Sequence, residues 1–277
     1  MLRFAVVGNP VSHSKSPQIH SLFAQQFGLQ LDYTREEVTA DGFDQFVTAF
    51  FAEGGRGLNV TVPFKERAFK IARSHSSRAA VAGAVNTLYL DRQSRLTGDN
   101  TDGIGLVRDL RDNNGIGIRN SRLLVIGAGG AVRGALGSLV DEKPRSITLV
   151  NRTLSRAVTL KEEFERQAGC SIEITVAAID QQPDQAFDLV INGTSSGLQG
   201  QVPSLSSRAI SSETCCYDML YGNAETAFMK WAADRGAARV IDGLGMLVEQ
   251  AAESFNIWLQ HRPDTASVIA AVRATLN

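Results

Sequence analysis

The chain alternates short apolar runs with longer stretches whose apolar residues recur at helical spacing. Leu123-Leu124-Val125-Ile126 reads as a buried parallel strand, and Phe4-Ala5-Val6-Val7, Ile147-Thr148-Leu149-Val150 and Leu189-Val190-Ile191 as further strands. Ile19, Leu22, Phe23 and Phe27 mark one amphipathic helix, and Phe43, Phe46, Val47, Phe50 and Phe51 another that stops at Gly54-Gly55. In the first third, strands are expected at 3–7, 33–38 and 57–63, with a short helix from Arg78, a break at Gly83 and a strand carrying Asn86. Asp91 to Ser94 reads as a hairpin turn, and 98–103 as a run of turn residues. Further on, strands at 123–126, 146–150, 172–176, 189–192, 215–218 and 239–241 alternate with helices from Gly130 and at 154–167 and 225–235. Two helices follow, at 246–259 and 265–276.

Strands alternating with helices predict an α/β protein with right-handed crossovers and helices on both sheet faces. The expected division is a Rossmann-type dinucleotide domain at 104–242 and a discontinuous α/β substrate domain made of 1–103 plus 243–277. The last two helices are expected to return to the first domain, with a cleft between the halves.

The stretch Leu123 to Val132 carries the strongest local chemistry. A buried strand runs straight into Gly127-Ala128-Gly129-Gly130-Ala131. Gly127 permits the tight turn, and Gly129 presents no Cβ to a diphosphate. The helix that follows offers unpaired N–H groups and the positive end of its dipole. Val132 stands where the usual fingerprint has its third glycine. An NAD-binding fold places an acid on the ribose about 20 residues further on. Here the next strand ends in Asn151-Arg152-Thr153, with Arg156 one turn later. A guanidinium fork suits a 2′-phosphate that an acid would repel, so these residues point to NADP(H) rather than NAD.

Composition narrows the function classes. The 277 residues are 43% hydrophobic and 21% charged, with a net charge of −1. That is an ordinary globular mixture, without the basic surface that nucleic acid or an anionic membrane asks for. Cys170, Cys215 and Cys216 form neither a CxxC pair nor a zinc spacing, and read as small core residues. No metal is expected. The first residues run directly into a strand and no later apolar run could span a bilayer, so a cytoplasmic protein is expected.

Three further strand-to-helix junctions carry polar groups. After the first strand, Ser14 and Ser16 precede Pro17; Ser16 is a suitable N-cap and Pro17 a suitable first helical residue. A carboxylate would be welcome there. Ser14 has no evident local role. His13 and His20 read as surface or packing residues. Thr61 and Lys65 flank the second junction, where a lysine in a first helical turn opposes the dipole. Asp102 precedes the third, either as a cap or as a partner for Lys65. Such a carboxylate–ammonium pair could hold and deprotonate a hydroxyl.

The runs GNPVSHSKSP (8–17), NVTVPFKE (59–66), AGAVNTL (82–88), GDNTDGIG (98–105), GAGGA (127–131), NRT (151–153), YDMLYG (217–222) and DGLGMLVEQAA (242–252) resemble the signature segments of the shikimate dehydrogenase family. They fall in one order over nearly the whole chain. The resemblance implies a two-domain enzyme that interconverts 3-dehydroshikimate and shikimate with NADP(H) in aromatic amino-acid biosynthesis. It assigns Ser14, Ser16 and Tyr221 to the substrate carboxylate, and Lys65 to acid/base work paired with Asp102, which also touches substrate. Thr61, Asn86 and Gln250 bind ring hydroxyls or help fix the lysine. Gly127, Ala128, Gly129, Gly130 and Ala131 cradle the diphosphate. Asn151, Arg152, Thr153 and Arg156 hold the ribose phosphate, and Met219 and Gly243 border the nicotinamide. Ser77 stands where many members carry an acid, and keeps a hydrogen-bonding group near the cofactor. The segment 190–196 resembles a loop lining the family's cleft. Two other readings remain: a paralogue that also takes quinate or relaxes cofactor choice, and a non-catalytic NADP-binding sensor. The protein is expected to work on a small molecule as a monomer or homodimer.

Overall fold

Two six-stranded sheets organise the chain in the computed structural model, which describes residues 1–168, 172–194, 202 and 204–276. Each sheet belongs to one of two units, Met1–Gly105 with Leu247–Thr275, and Leu106–Met246. The chain passes from one to the other within two helices.

The first unit begins with β1 (Leu2–Gly8), whose last five residues are buried. Then come α1 (Ser16–Gln26), β2 (Leu31–Glu37), α2 (Phe43–Ala52), β3 (Gly57–Val60) and α3 (Lys65–Ile71). A two-residue β4 (Ser74–His75), α4 (Ser77–Ala82), β5 (Thr87–Leu90) and β6 (Leu96–Asp99) complete the sheet in the order β2-β1-β3-β5-β6-β4. β5 runs antiparallel to both β3 and β6, so this sheet is mixed. The β5–β6 hairpin was legible in its turn: the Asp91 carboxylate accepts the Gln93 and Arg95 N–H groups at 2.8 and 2.9 Å. β6 itself was not legible, because Gly98-Asp99 is turn-like by composition. Its pairing to β5 overrides that preference. β3 ends at Val60 rather than Pro63, and Asn86 lies just before β5 rather than within it.

Leu58, Val60, Phe43, Phe50, Phe64 and Leu88 form the core of this unit. α9 (Leu244–Leu259) and α10 (Ala266–Ala274) supply its C-terminal segment. The Trp258 ring stacks on Phe4 with centroids 4.9 Å apart. A Cβ at Gly57 would enter that indole, so the strand can pass beneath α9 only as glycine.

The second unit follows α5 (Asp102–Arg108) and a π-helical turn at Asp109–Asn113. β7 (Arg122–Ile126), α6 (Gly130–Asp141), β8 (Ser146–Asn151), α7 (Leu154–Ala168), β9 (Glu173–Ala178), β10 (Leu189–Asn192), β11 (Cys215–Asp218), α8 (Ala227–Ala233) and β12 (Arg239–Ile241) follow in turn. All pairings are parallel, in the order β12-β11-β10-β7-β8-β9. Numbered within the unit this is 3-2-1-4-5-6, read from its far edge, the doubly wound dinucleotide order. Leu124, Ile126, Val150, Val190, Phe187 and Phe228 form its core. Cys216 is buried and Cys215 partly so, as neighbours on opposite strand faces should be. Cys170, Ser195 and Ser196 lie outside the described residues.

Among the described residues, no helix is long and apolar enough to cross a membrane. Among them too, no cluster of three His, Cys, Asp or Glu side chains could hold a metal ion.

Candidate functional site

Lys65 is the first residue of α3, where the dipole opposes its charge. Its ammonium is nevertheless drawn inward and donates to Asp102 Oδ2 at 2.5 Å. The two side chains are only 21% and 8% exposed. Asp102 opens α5 but does not cap it. The Asn100 side chain accepts the Asp102 N–H at 3.1 Å while its own amide donates to the Ala84 carbonyl at 3.0 Å. The carboxylate is thereby left to the lysine.

Asn86 holds the other oxygen. Its Nδ2 donates to Asp102 Oδ1 at 2.8 Å and to Thr101 Oγ1 at 2.9 Å, and lies 3.4 Å from Gln250 Oε1. Its Oδ1 accepts from the Thr101 N–H at 2.9 Å and the Thr87 hydroxyl at 2.8 Å. Asn86 is buried and its amide is fully engaged. Gln250, on α9, spends its own amide on the Leu247 carbonyl at 2.8 Å. Lys65, Asn86, Asp102 and Gln250 therefore form one constellation. Thr61 is half-buried one turn before Lys65, its methyl against Gly8.

The serine loop departs from expectation. Lys15 takes the N-cap position of α1, and Ser16 is its first residue, with Pro17 following. Ser14 does have a local role, because its Oγ accepts the Ser16 N–H at 3.3 Å and donates to Ser16 Oγ at 3.2 Å. Arg35 Nε holds the loop from behind through the Ser14 carbonyl at 2.8 Å. Two hydroxyls thus lie side by side at the start of an 11-residue helix.

Several participants were not singled out by the sequence reading. Asn59, on β3, accepts from the Tyr33 phenol at 2.7 Å and donates to Ser254 Oγ at 3.0 Å. Thr87 and Ser254 are buried beside it, and Thr101 is buried next to Ser254. The available signal was polarity inside an otherwise apolar strand, Gly57-Leu58-Asn59-Val60, since a buried amide needs partners. His20, read from the sequence as a surface or packing residue, is wholly buried and stacked on Tyr33 at 4.4 Å. Neither ring nitrogen has a well-formed hydrogen bond. Burial pushes its pKa down to about 3, opposed by the nearby Asn59 side chain.

In the second unit, Gly127 turns the chain at φ 109°, a conformation that favours glycine. A Cβ on Gly129 or Gly130 would meet nothing within 4 Å, and the N-cap residue of α6 is Gly129, with no side-chain cap. Gly127, Ala128, Gly129, Gly130 and Ala131 line a cavity of about 540 Å³ with Asn151, Arg152 and Arg156. Arg152 and Arg156 are exposed, and among the described residues neither makes an ion pair. Asn151 Nδ2 donates to the Thr153 carbonyl at 2.8 Å, fixing the turn that presents the arginines. An open glycine cradle, a helix start with no side-chain cap and two guanidinium groups without an ion pair among the described residues fit a phosphorylated dinucleotide.

Val132 is explained by its neighbour. It is wholly buried, and a Cβ on Gly193 would strike its side chain. The close approach of helix and strand is secured by a glycine after β10 instead of one inside α6. Met219 and Gly243 also come together, because a Cβ on Gly243 would collide with the Met219 carbonyl. Asp218 accepts from Leu220 N–H at 3.1 Å and Thr226 Oγ1 at 2.6 Å, which steadies the loop bearing Met219 and Tyr221. Tyr221 is half-buried, and burial together with Asp242 raises its pKa. Ser77 is exposed at the start of α4, and the capping hydroxyl there belongs to Ser76.

Comparison with known proteins agrees with both halves. Residues 6–88 match the family model of the shikimate dehydrogenase substrate binding domain, 110–200 that of shikimate / quinate 5-dehydrogenase, and 243–273 the shikimate 5'-dehydrogenase C-terminal domain. Shikimate dehydrogenase (NADP(+)) of Marinobacter nauticus is 52% identical over 98% of both chains, and that of Hahella chejuensis is equally similar. Among solved structures, an Ael1 enzyme from Pseudomonas putida superposes with a TM-score of 0.91 at 42% identity, covering 98% of each chain. Shikimate 5-dehydrogenase from Thermus thermophilus, in complex with NADP(H) and shikimate, superposes with a TM-score of 0.88 at 31% identity over the whole of both chains. By sequence, by fold and along its full length, the chain belongs to the shikimate dehydrogenase family.

Proposed function

We propose that the protein catalyses the reversible reduction of 3-dehydroshikimate to shikimate with NADPH, with Lys65 as acid/base and Asp102 as its partner. The observation that carries this reading is the 2.5 Å Lys65–Asp102 pair in a family of NADP-dependent shikimate dehydrogenases. Reducing a ketone needs a hydride at carbon and a proton at oxygen. When bound, the nicotinamide cofactor supplies the hydride. Lys65 delivers the proton to the carbonyl oxygen and removes it again in the oxidising direction. Asp102 holds the ammonium in place and accepts from the substrate hydroxyl beside it. Asn86 and Gln250 steady that carboxylate and line the ring hydroxyls, with Thr61 at the edge.

Ser14 and Ser16 receive the substrate carboxylate, supported by their paired hydroxyls at the start of α1. Tyr221 adds a third hydroxyl on the strength of family membership. Gly127 to Ala131 hold the diphosphate and Arg152 and Arg156 the 2′-phosphate, with Asn151 and Thr153 shaping their turn. Met219 and Gly243 border the nicotinamide, and Ser77 offers it a hydroxyl. The domain roles follow: 1–103 plus 243–277 for substrate and catalysis, 104–242 for the cofactor. We place the activity in the cytoplasm, in aromatic amino-acid biosynthesis through chorismate, as the family implies. The working unit is a monomer or homodimer, which light scattering distinguishes.

The test is the initial rate of NADPH consumption with 3-dehydroshikimate. Absence of turnover, with NADPH bound, would leave the sensor reading instead. A second reading, use of quinate as well, is favoured by the shikimate / quinate description of the model matching 110–200. Oxidation of both acids with both cofactors separates the two.

A further inference from the structure

The Lys65–Asp102 pair is the visible end of a longer array in the first unit. Tyr33 donates its phenolic proton to Asn59 Oδ1 at 2.7 Å. That fixes the Asn59 amide, whose Nδ2 then faces Ser254 Oγ at 3.0 Å. Ser254, wholly buried on α9, lies 2.8 Å from Thr87 Oγ1. Thr87 donates to Asn86 Oδ1 at 2.8 Å, and Asn86 Nδ2 donates to Asp102 Oδ1 at 2.8 Å. The carboxylate's second oxygen takes the Lys65 ammonium.

Each hydroxyl has one proton, and this decides the direction. Asn59 Nδ2 can only donate, so Ser254 accepts from it. The Thr87 proton goes to Asn86 Oδ1, so the short Ser254–Thr87 contact is donated by Ser254. The alternative acceptors for the Ser254 proton, the Gln250 carbonyl at 3.1 Å and Thr101 Oγ1 at 3.3 Å, are both more distant. Donors and acceptors then run one way from Tyr33 to Asp102. The phenol is a firm starting point, since burial raises its pKa, and the Ser16 hydroxyl adjoins it. Direction matters at Asn86. With its oxygen held by Thr87 and Thr101, the amide must turn its N–H groups to Asp102; reversed, it would set a carbonyl against a carboxylate.

We propose that Ser254 and Thr87 are positioning residues for the Lys65–Asp102 pair, acting through the orientation of the Asn86 side-chain amide. The inference rests on the catalytic reading of that pair but concerns groups removed from the reacting atoms. Such a buried network is worth more as a unit than as separate bonds, and its members couple.

The test uses the full chain and the variants Ser254→Ala, Thr87→Val, their double, and Thr87→Ser, each checked for folding by circular dichroism and melting temperature. The single variants are expected to lower kcat for shikimate oxidation roughly tenfold, about the value of one hydrogen bond. KM for shikimate should change less than threefold. The double variant should fall no further than the worse single, and Thr87→Ser should recover most of the loss. Independently of turnover, the Asn86 side-chain amide, identified by its absence in Asn86→Ala, should move in the ¹H–¹⁵N spectrum of both single variants. Folded single variants with wild-type kcat and an unmoved Asn86 amide overturn the proposal, as does a double variant whose losses simply multiply. A wild-type protein that does not oxidise shikimate overturns the catalytic reading instead, while the amide resonance still tests the array. Thr87→Val keeps the shape of its site, so it decides the question should Ser254→Ala fail to fold.

Discussion

Lys65 Nζ lies 2.5 Å from Asp102 Oδ2, although 37 positions separate them and each residue is the first of its own helix. The dipole of α3 disfavours an ammonium in its first turn, whereas that of α5 favours a carboxylate. The lysine is thus held by the neighbouring helix's acid rather than by its own helix. A charge pair this far withdrawn from water is more often kept for chemistry than for stability.

Lys65→Ala is expected to lower kcat for shikimate oxidation roughly 10²–10⁴-fold, the usual share of a general acid–base group. The substrate dissociation constant from calorimetry should change little, because the hydroxyl and carboxylate contacts persist. A folded variant with wild-type turnover would remove Lys65 from the reaction.

Arg152→Ala should weaken NADP roughly ten- to hundredfold, the value of one charge-assisted hydrogen bond. NAD, lacking the 2′-phosphate, should lose less than threefold. Titration of both cofactors by fluorescence measures this, and equal weakening would take the 2′-phosphate away from Arg152.

His20 should make the fold acid-sensitive. Its folded pKa of about 3 lies below the ordinary value of 6.5, so between those limits the unfolded chain binds the proton and the native state does not. Stability is full above pH 6.5 and falls by about 1.4 kcal/mol for each unit below it. Between pH 6.5 and 5 the loss is roughly 2 kcal/mol. Urea unfolding of wild type and His20→Phe at the two pH values isolates the histidine, since the other groups titrate in both. An identical pH dependence in the two proteins would show that the imidazole is not buried neutral.

Gly193→Ala should destabilise by about 1–3 kcal/mol, because its methyl would enter the wholly buried Val132 side chain. Adding Val132→Ala opens that space, so the pair should cost less than the sum of the two single changes. Additive losses in denaturant melts would mean that the two residues do not share the approach.

Much of the architecture was legible in the chain. Buried strands such as Leu123 to Ile126 declare themselves because both faces must be apolar, and Gly127 because only glycine takes its turn without strain. The first sheet was less readable. β6 contains Gly98-Asp99, turn formers by composition, and pairs because a neighbouring strand offers its edge. Capping was misassigned at Ser16, where Lys15 holds the position, and left open at Asp102, which is the first residue of α5, since several small polar residues in a row can each take that role locally.

By itself, the order of motifs determined the family, the dinucleotide half and the identity of Lys65 and Asp102 as the residues to watch, because these depend on short-range patterns of glycine, charge and hydrophobic period. Tertiary structure alone decided that those two side chains meet, that Gly193 does the work expected of position 132, and that Tyr33, Asn59, Ser254 and Thr87 stand in line behind Asn86. Hydrogen bonds between groups up to 195 residues apart depend on sheet order and helix packing, which no local spacing encodes.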